Sequence, residues 1–266
     1  MNTKRSGITV SIAQTQEEIS QALSFCASVY EQTYGTHWTV PPDLFFIARE
    51  NGDIVATGGL TFAALHTQLA SERYFRLTER MRHFMATNRE RIVEFGRFAS
   101  VKVRGAKAIV CSAISYCALV EIDFIFSWTN PTVSKYMSNR LGLDLWPIAV
   151  PLDLDGALQD PRWASPPVGF FQRAQPPILH LGVVPFWENP VKILAEESGV
   201  AAQVPAWQAV TPREIHVAAM KPTSVELSAP RLLRAESAST RSSVMPEIPS
   251  KLEPGALLPQ KRPKAE

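Results

Sequence analysis

Apolar and polar residues alternate through residues 8–13, Ile-Thr-Val-Ser-Ile-Ala, with the two-residue period of a half-buried strand. Thr15, with Glu18 three positions later, forms a capping box, and the helix it starts places Ile19, Leu23, Cys26 and Tyr30 on one face. Gly35-Thr36-His37-Trp38 and Pro41-Pro42 follow as loop. Apolar runs at 44–49 and 54–62 flank Asn51-Gly52, so the spacing predicts a hairpin. A helix is expected over 69–86, although its apolar stripe is weak, and a strand carrying polar residues over 91–99. After a loop at 100–105, Ile109, Val110, Ala113, Ile114 and Cys117 keep helical spacing in a helix over 106–120. Residues 123–128 read as a short buried strand. Asn130-Pro131 then opens a helix that Gly142 stops, with Asn as cap and proline in the first turn. Strands at 143–152 and 178–184 complete the pattern.

Helices interleaved with strands imply a partly parallel sheet, and the early hairpin adds an antiparallel half, so the fold class is mixed α/β. The pattern fades after Glu197, where prolines recur at 205, 212, 222, 230, 246, 249, 254, 259 and 263 among Ser, Ala and charged residues. Such a segment buries too little apolar area to offset the entropy of ordering it. The expected organisation is one domain over 1–190 and a largely disordered Pro-rich tail over 191–266, with room for short helices at 191–202 and 231–238. Apolar residues make up 45% of the 266, enough for a core, and the net charge of +2 argues against a general nucleic-acid or acidic-membrane binder. No secretory signal and no bilayer-spanning apolar run is visible. The three cysteines, Cys26, Cys111 and Cys117, suit reduced thiols in a cytosolic core, so the chain reads as cytoplasmic. No Cys/His cluster has zinc spacing, and no metal is expected.

The chemistry concentrates at 94–108. A strand, a small-residue loop and a helix N-terminus present unpaired N–H groups to an anion such as the phosphates of a pantetheine thioester. Ser100, Val101, Arg104, Gly105 and Ala106 form this stretch, and the alternative is an ordinary surface loop before a core helix. Glu94 and Arg97 are charges in a core strand, costly unless paired or open to a cleft. Glu94 suits a general base for an ammonium nucleophile, and Arg97 suits a grip on a carboxylate or phosphate. A structural ion pair is the competing account. Regular alternation puts the two on opposite faces, so a twist or bulge is needed for both to reach one cleft. Trp38, Tyr34 and Tyr74 are candidates for a pocket lining or for core. Trp163, Phe170, Phe171 and Trp187 are expected to cover a sheet edge or the domain surface. The five histidines show no catalytic spacing.

Residues 101–108 with their helix, the strand ending at Trp128, and Asn130 through Leu141-Gly142-Leu143 resemble the second half of a GNAT acyltransferase domain. Lys107 and Ile109 stand where that family's phosphate loop carries small residues, and Ser138 where a tyrosine often stands. Leu69-Ala70-Ser71-Glu72-Arg73-Tyr74-Phe75 and Ile92-Val93-Glu94-Phe95-Gly96-Arg97-Phe98-Ala99-Ser100, in order and followed by Arg140-Leu141-Gly142-Leu143, resemble segments of the GNAT-like thermostable hemolysin family. Glu94, Arg97 and Phe98 also match the Glu-x-Ser-Arg-Phe strand of acyl-homoserine-lactone autoinducer synthases. Those enzymes' acidic signature after the first helix is absent, with only Asp43 there. The resemblance implies a splayed sheet flanked by helices and acyl transfer from acyl-CoA or acyl-carrier protein to a small amine. It implies Glu94 as catalytic group, with Arg97, Trp38, Tyr74 and Phe98 binding substrate. Ser100, Val101, Arg104, Gly105, Ala106 and Asn130 would hold the acyl-phosphopantetheine arm. Competing readings are an inactive GNAT-like binding module, an enzyme using S-adenosylmethionine, and, last, a membrane-active hemolysin. For the tail, the expected outcome is that deleting residues 210–266 leaves the thermal midpoint nearly unchanged; a large drop in a melting curve would place the tail in the core or an interface.

Overall fold

A computed structural model of the chain describes residues 7–187. Among these, seven strands form one sheet: β1 (Ile8–Ile12), β2 (Leu44–Glu50), β3 (Asp53–Phe62), β4 (Ile92–Ser100), β5 (Phe124–Thr129), β6 (Trp146–Ile148) and β7 (Ile178–Val183). Their spatial order is β1-β2-β3-β4-β5-β7-β6, antiparallel throughout except for the parallel pair β4–β5. The helices are α1 (Gln16–Tyr34), α2 (Ala70–Tyr74), α3 (Glu79–Thr87), α4 (Val103–Leu119), α5 (Pro131–Leu141), α6 (Leu154–Leu158) and α7 (Val168–Phe171). The mixed α/β fold expected from the sequence is the one observed. None of the described helices is long and apolar enough to cross a membrane.

Local chemistry accounts for the firm boundaries. At the start of α1 the Glu18 N–H donates to Thr15 Oγ1 (3.1 Å) while the Thr15 N–H donates to the Glu18 carboxylate (3.2 Å). Asn51 and Gly52 take φ of 55° and 93°, the two positive values of a type I′ hairpin turn. Asn130 Oδ1 caps α5 by accepting from the Val133 N–H (3.0 Å), and Gly142 ends it at φ 66°.

Helix α4 is the parallel crossover and packs on one sheet face, where Ile109, Val110, Ala113, Ile114 and Cys117 meet Leu44, Phe46 and Val93. On the other face Ala22 and Cys26 of α1 meet Phe45, Ile47 and Ala99. Tyr30 joins that layer to an aromatic group around Trp38, Tyr74, Phe126, Trp163, Phe170 and Phe171.

Four expectations need correction. The helix over 69–86 is two helices: Phe75 is extended and bridges Leu152, and Thr78 caps α3 afresh. Burial of Tyr74, Phe75 and Leu77 in one aromatic core explains the break, since no straight helix aims all three at it. Helix α4 begins at Val103 rather than 106, leaving only Val101 and Lys102 between it and β4. The strand over 143–152 shrinks to β6, because Leu143 N–H is used to close α5 at Met137 O and prolines 147 and 151 donate no ladder bonds. Trp163, Phe170, Phe171 and Trp187 are core residues rather than an edge cover. The tail, with the helices expected at 191–202 and 231–238, lies outside the described residues.

Gly58 shows how closely α4 sits on β3, since a Cβ there would meet Ile109 Cγ2 at 2.5 Å and the Phe95 ring at 3.1 Å. Gly58→Ala is expected to cost about 1–3 kcal/mol. Chemical denaturation measures this, and an unchanged midpoint would show that α4 can lift off the sheet.

Candidate active site

Two departures from regular pairing shape β4. Toward β3, Thr57 pairs with Ala99 and Gly59 with Gly96, so Arg97 and Phe98 together oppose the single residue Gly58. This is a β-bulge, and Arg97 adopts φ 52° within it. The Arg97 carbonyl is held by the Thr57 hydroxyl (3.2 Å) and the Cys26 thiol (3.6 Å). Burial pushes the Cys26 thiol up to about 12, against the pull of Arg97, so it serves as a neutral donor. Toward β5, pairing runs from Ile92–Phe124 to Glu94–Phe126 and then stops, while both strands continue. The two strands therefore part from Phe95 and Ser127 onward.

The bulge puts Glu94 and Arg97 on one face, the arrangement that regular alternation forbids. Glu94 is 3% exposed and Arg97 8%. The Ser71 N–H donates to Glu94 Oε2 (2.7 Å), Arg97 Nε donates to the Val40 carbonyl (3.2 Å), and the guanidinium lies 4.2 Å from the centre of the Trp38 ring. Burial draws the Arg97 guanidinium below its usual value and the Glu94 charge opposes this. The two charges thus feel each other without a direct ion pair. The structural ion pair considered from the sequence does not form in direct contact.

Trp38 also carries Arg162, 4.7 Å from its ring centre. Arg162 grips buried Asp160 through Nε and Nη2 (2.9 and 2.6 Å), Tyr74 donates its hydroxyl to the same carboxylate (2.8 Å), and Arg73 adds a third partner (3.1 Å). Trp163 Nε1 donates in turn to the Tyr74 oxygen (3.2 Å). Burial alone raises the Asp160 carboxyl, but the hydrogen bonds from Arg162 and Tyr74 outweigh it and hold it well below the usual carboxylate range. Burial, with Asp160 as acceptor, raises the Tyr74 phenol, so Tyr74 is a fixed donor here. Sequence reasoning missed Asp160, Arg162, Ser71, Thr57 and Cys26 as site residues. Asp160-Pro161-Arg162-Trp163 was the one local signal, two charges locked across a proline beside an aromatic.

The gap between β4 and β5 forms a slot open to solvent. Phe95, Gly96 and Phe98 line it from β4 and Ser127, Trp128 and Thr129 from β5, together with Asn130, Tyr30, Tyr34 and Phe170. Trp128 joins slot to charges, its ring centre 6.3 Å from Trp38 and 5.5 Å from Tyr74. Of the residues singled out from sequence, Phe98 and Asn130 line the slot, while Glu94, Arg97, Trp38 and Tyr74 cluster beside it. Ser100, Val101, Arg104, Gly105 and Ala106 stand apart from both, where β4 runs into α4. There Val101 is 62% exposed, but its N–H is bonded to the Val55 carbonyl (3.0 Å). The first bond of α4 runs from Ala106 N–H to Lys102 O, leaving Val103, Arg104 and Gly105 with no intrahelical acceptor. Gly105 is small for packing: a Cβ would lie 3.1 Å from the side chains of Val55 and Ala56.

The fold is an open mixed sheet flanked by helices, whose one parallel pair parts beside a crossover helix. The sequence of residues 12–162, more than half of the chain, matches the thermostable hemolysin family, and the protein belongs to that family. Among solved structures it is similar to FeeM, an N-acyl amino acid synthase from uncultured soil microbes, at 15% identity and a TM-score of 0.47, covering 72% of this chain and 98% of that one. It is also similar to BjaI, a CoA-dependent acyl-homoserine lactone synthase, at 12% identity and a TM-score of 0.47, covering 73% and 90%. For LasI, an acyl-homoserine lactone synthase, identity is 13% and the TM-score 0.43, covering 67% and 91%. No curated protein matches the sequence.

Because the Asp160 carboxyl is depressed on folding, its share of stability is complete above the unfolded value of about 3.9 and is lost as the pH falls through the folded one. Asp160→Asn should cost about 3–5 kcal/mol at pH 7 by leaving two arginines short of a charge. It should also flatten the loss of stability below about pH 4. Urea unfolding at pH 7 and pH 3 tests both, and equal acid sensitivity in the two proteins would discard the assignment.

Proposed function

We propose that the protein transfers an acyl group from a pantetheine thioester, acyl-CoA or acyl-carrier protein, to a small amine. The observation that carries this is the parting of β4 from β5 after Glu94 and Phe126, which opens a slot between two strand edges. Unpaired backbone groups on such edges need partners, and the amides of a pantetheine arm supply them. At the far end of β4, the free N–H groups of Arg104 and Gly105 and the Arg104 side chain receive the phosphate, with Ser100, Val101 and Ala106 fixing the approach. Phe98 and Asn130 flank the arm, and no metal takes part.

Glu94 takes one proton from the acceptor ammonium, directly or through water. The freed nitrogen lone pair forms the C–N bond to the thioester carbonyl. The C–S bond breaks with its electrons on sulfur, and the second nitrogen proton ends on the thiol. Arg97 binds an anionic group of the substrate, with Trp38 and Tyr74 forming the wall behind it. A second reading, a binding module without turnover, is favoured by Ser138: it stands where a tyrosine acid is usual, and its hydroxyl is committed to the Leu143 carbonyl (3.3 Å).

Under the catalytic reading, Glu94→Gln keeps the fold and lowers turnover by about 10²–10⁴-fold. Arg97→Ala raises KM more than it lowers kcat. Thiol release from acyl-CoA and acyl-carrier thioesters, read beside melting curves, separates the cases. Lowered melting temperatures with unchanged activity in both variants would leave the two residues purely structural.

A further inference from the structure

Five buried side-chain atoms among the described residues have no hydrogen-bond partner, and two of them, Trp38 Nε1 and Ser71 Oγ, belong to residues touching the Arg97–Glu94 pair. Native proteins rarely bury such groups idle, because each forfeits its bonds to water. Around them further capacity is open. Arg97 uses only Nε, on Val40, so its two terminal nitrogens are open donors, and Ser71 N–H engages only Oε2 of Glu94. The competing acid is already committed, since Asp160 is saturated by Arg162, Arg73 and Tyr74. Stacked together, Arg97 and Trp38 supply donors, a guanidinium and an indole N–H, while Glu94 and the Ser71 it bonds supply a carboxylate oxygen and a hydroxyl.

We infer that this cluster is a subsite for an α-amino acid, whose carboxylate is held by the Arg97 terminal nitrogens and Trp38 Nε1 and whose ammonium is held by Glu94 and Ser71 Oγ. The inference rests on the acyl-transfer reading above and names its acceptor class. A guanidinium fork matches a carboxylate in two parallel bonds, and its stacking on Trp38 restricts the side chain before ligand arrives. A simple amine fills only the acidic half and leaves a buried cation unpaired. Discrimination then comes from the donors that stay empty, the kind of selectivity that sites built for a polar group show against analogues lacking it.

The test compares matched pairs with the full-length protein: L-phenylalanine against 2-phenylethylamine, and L-leucine against 3-methylbutylamine. Thiol release from a medium-chain acyl-CoA is one readout, and calorimetric titration of the acceptor alone is the other. The expected result is binding and acylation of the amino acids in preference to their amines. Trp38→Phe, which keeps an aromatic face and removes the N–H, and Ser71→Ala should each raise the amino-acid KM about tenfold, with kcat little changed. Amines acylated as well as amino acids would overturn the inference while leaving acyl transfer intact. Calorimetric heat for L-phenylalanine that disappears in Arg97→Lys, without thiol release from any donor, would keep the subsite and sink the acyl-transfer reading. No heat with either amino acid would overturn the subsite and assign the idle atoms to buried water.

Discussion

Arg97 holds a left-handed backbone conformation that costs a residue with a side chain about 1–3 kcal/mol, and much of the site depends on it. The extra residue it adds to β4 reverses the alternation of the strand. Phe95 and Phe98 consequently share the α4 face, while Glu94 and Arg97 share the other. Thr57 from β3 and Cys26 from α1 both donate to the Arg97 carbonyl, so the strained residue is fixed from two separate elements. Strain sustained by such over-determination belongs to positions where a side chain must be aimed.

The surroundings of that side chain are buried and aromatic, which strengthens every charge they enclose. Two cations lie against Trp38, Arg97 and Arg162, and one anion, Asp160, answers only the second. Tyr74 and Arg73 complete the Asp160 site and tie α2 to the 160–163 segment. The bridge between Trp38 and Trp163 closes the same region from the loop after α1. Arg97 is thereby left as the cation with donors to spare, next to a carboxylate that is not in contact with it.

A single strand carries the whole arrangement. Glu94 is the last residue of β4 paired to β5, Arg97 forms the bulge, Phe98 lines the slot, and Ser100 leads within three residues into α4. Parting of the sheet and bulging of the strand act at neighbouring positions, so the slot and the charged cluster adjoin through Trp128. Gly58 and Gly105 allow α4 to press on β3 at this point, which leaves the helix N-terminus at the end of the strand.

Local chemistry alone determined the elements that close on themselves: the capping box at Thr15 and Glu18, the Asn51-Gly52 turn, the Asn130 cap and the Gly142 stop. Each involves residues a few positions apart, so its energy is written in a short stretch of sequence. The identity of Glu94 and Arg97 as unusual charges in a core strand was equally legible, because a burial cost attaches to residue type. Their meeting on one face was not, since it needs a bulge whose supports lie 71 and 40 positions away at Cys26 and Thr57. The broken helix after Leu69 and the burial of Trp163 and Phe171 were likewise set by a common aromatic core. Alternation and helical period describe a segment's own geometry, whereas contacts between segments far apart in the chain decide which of its residues a core accepts, and only the tertiary structure holds those.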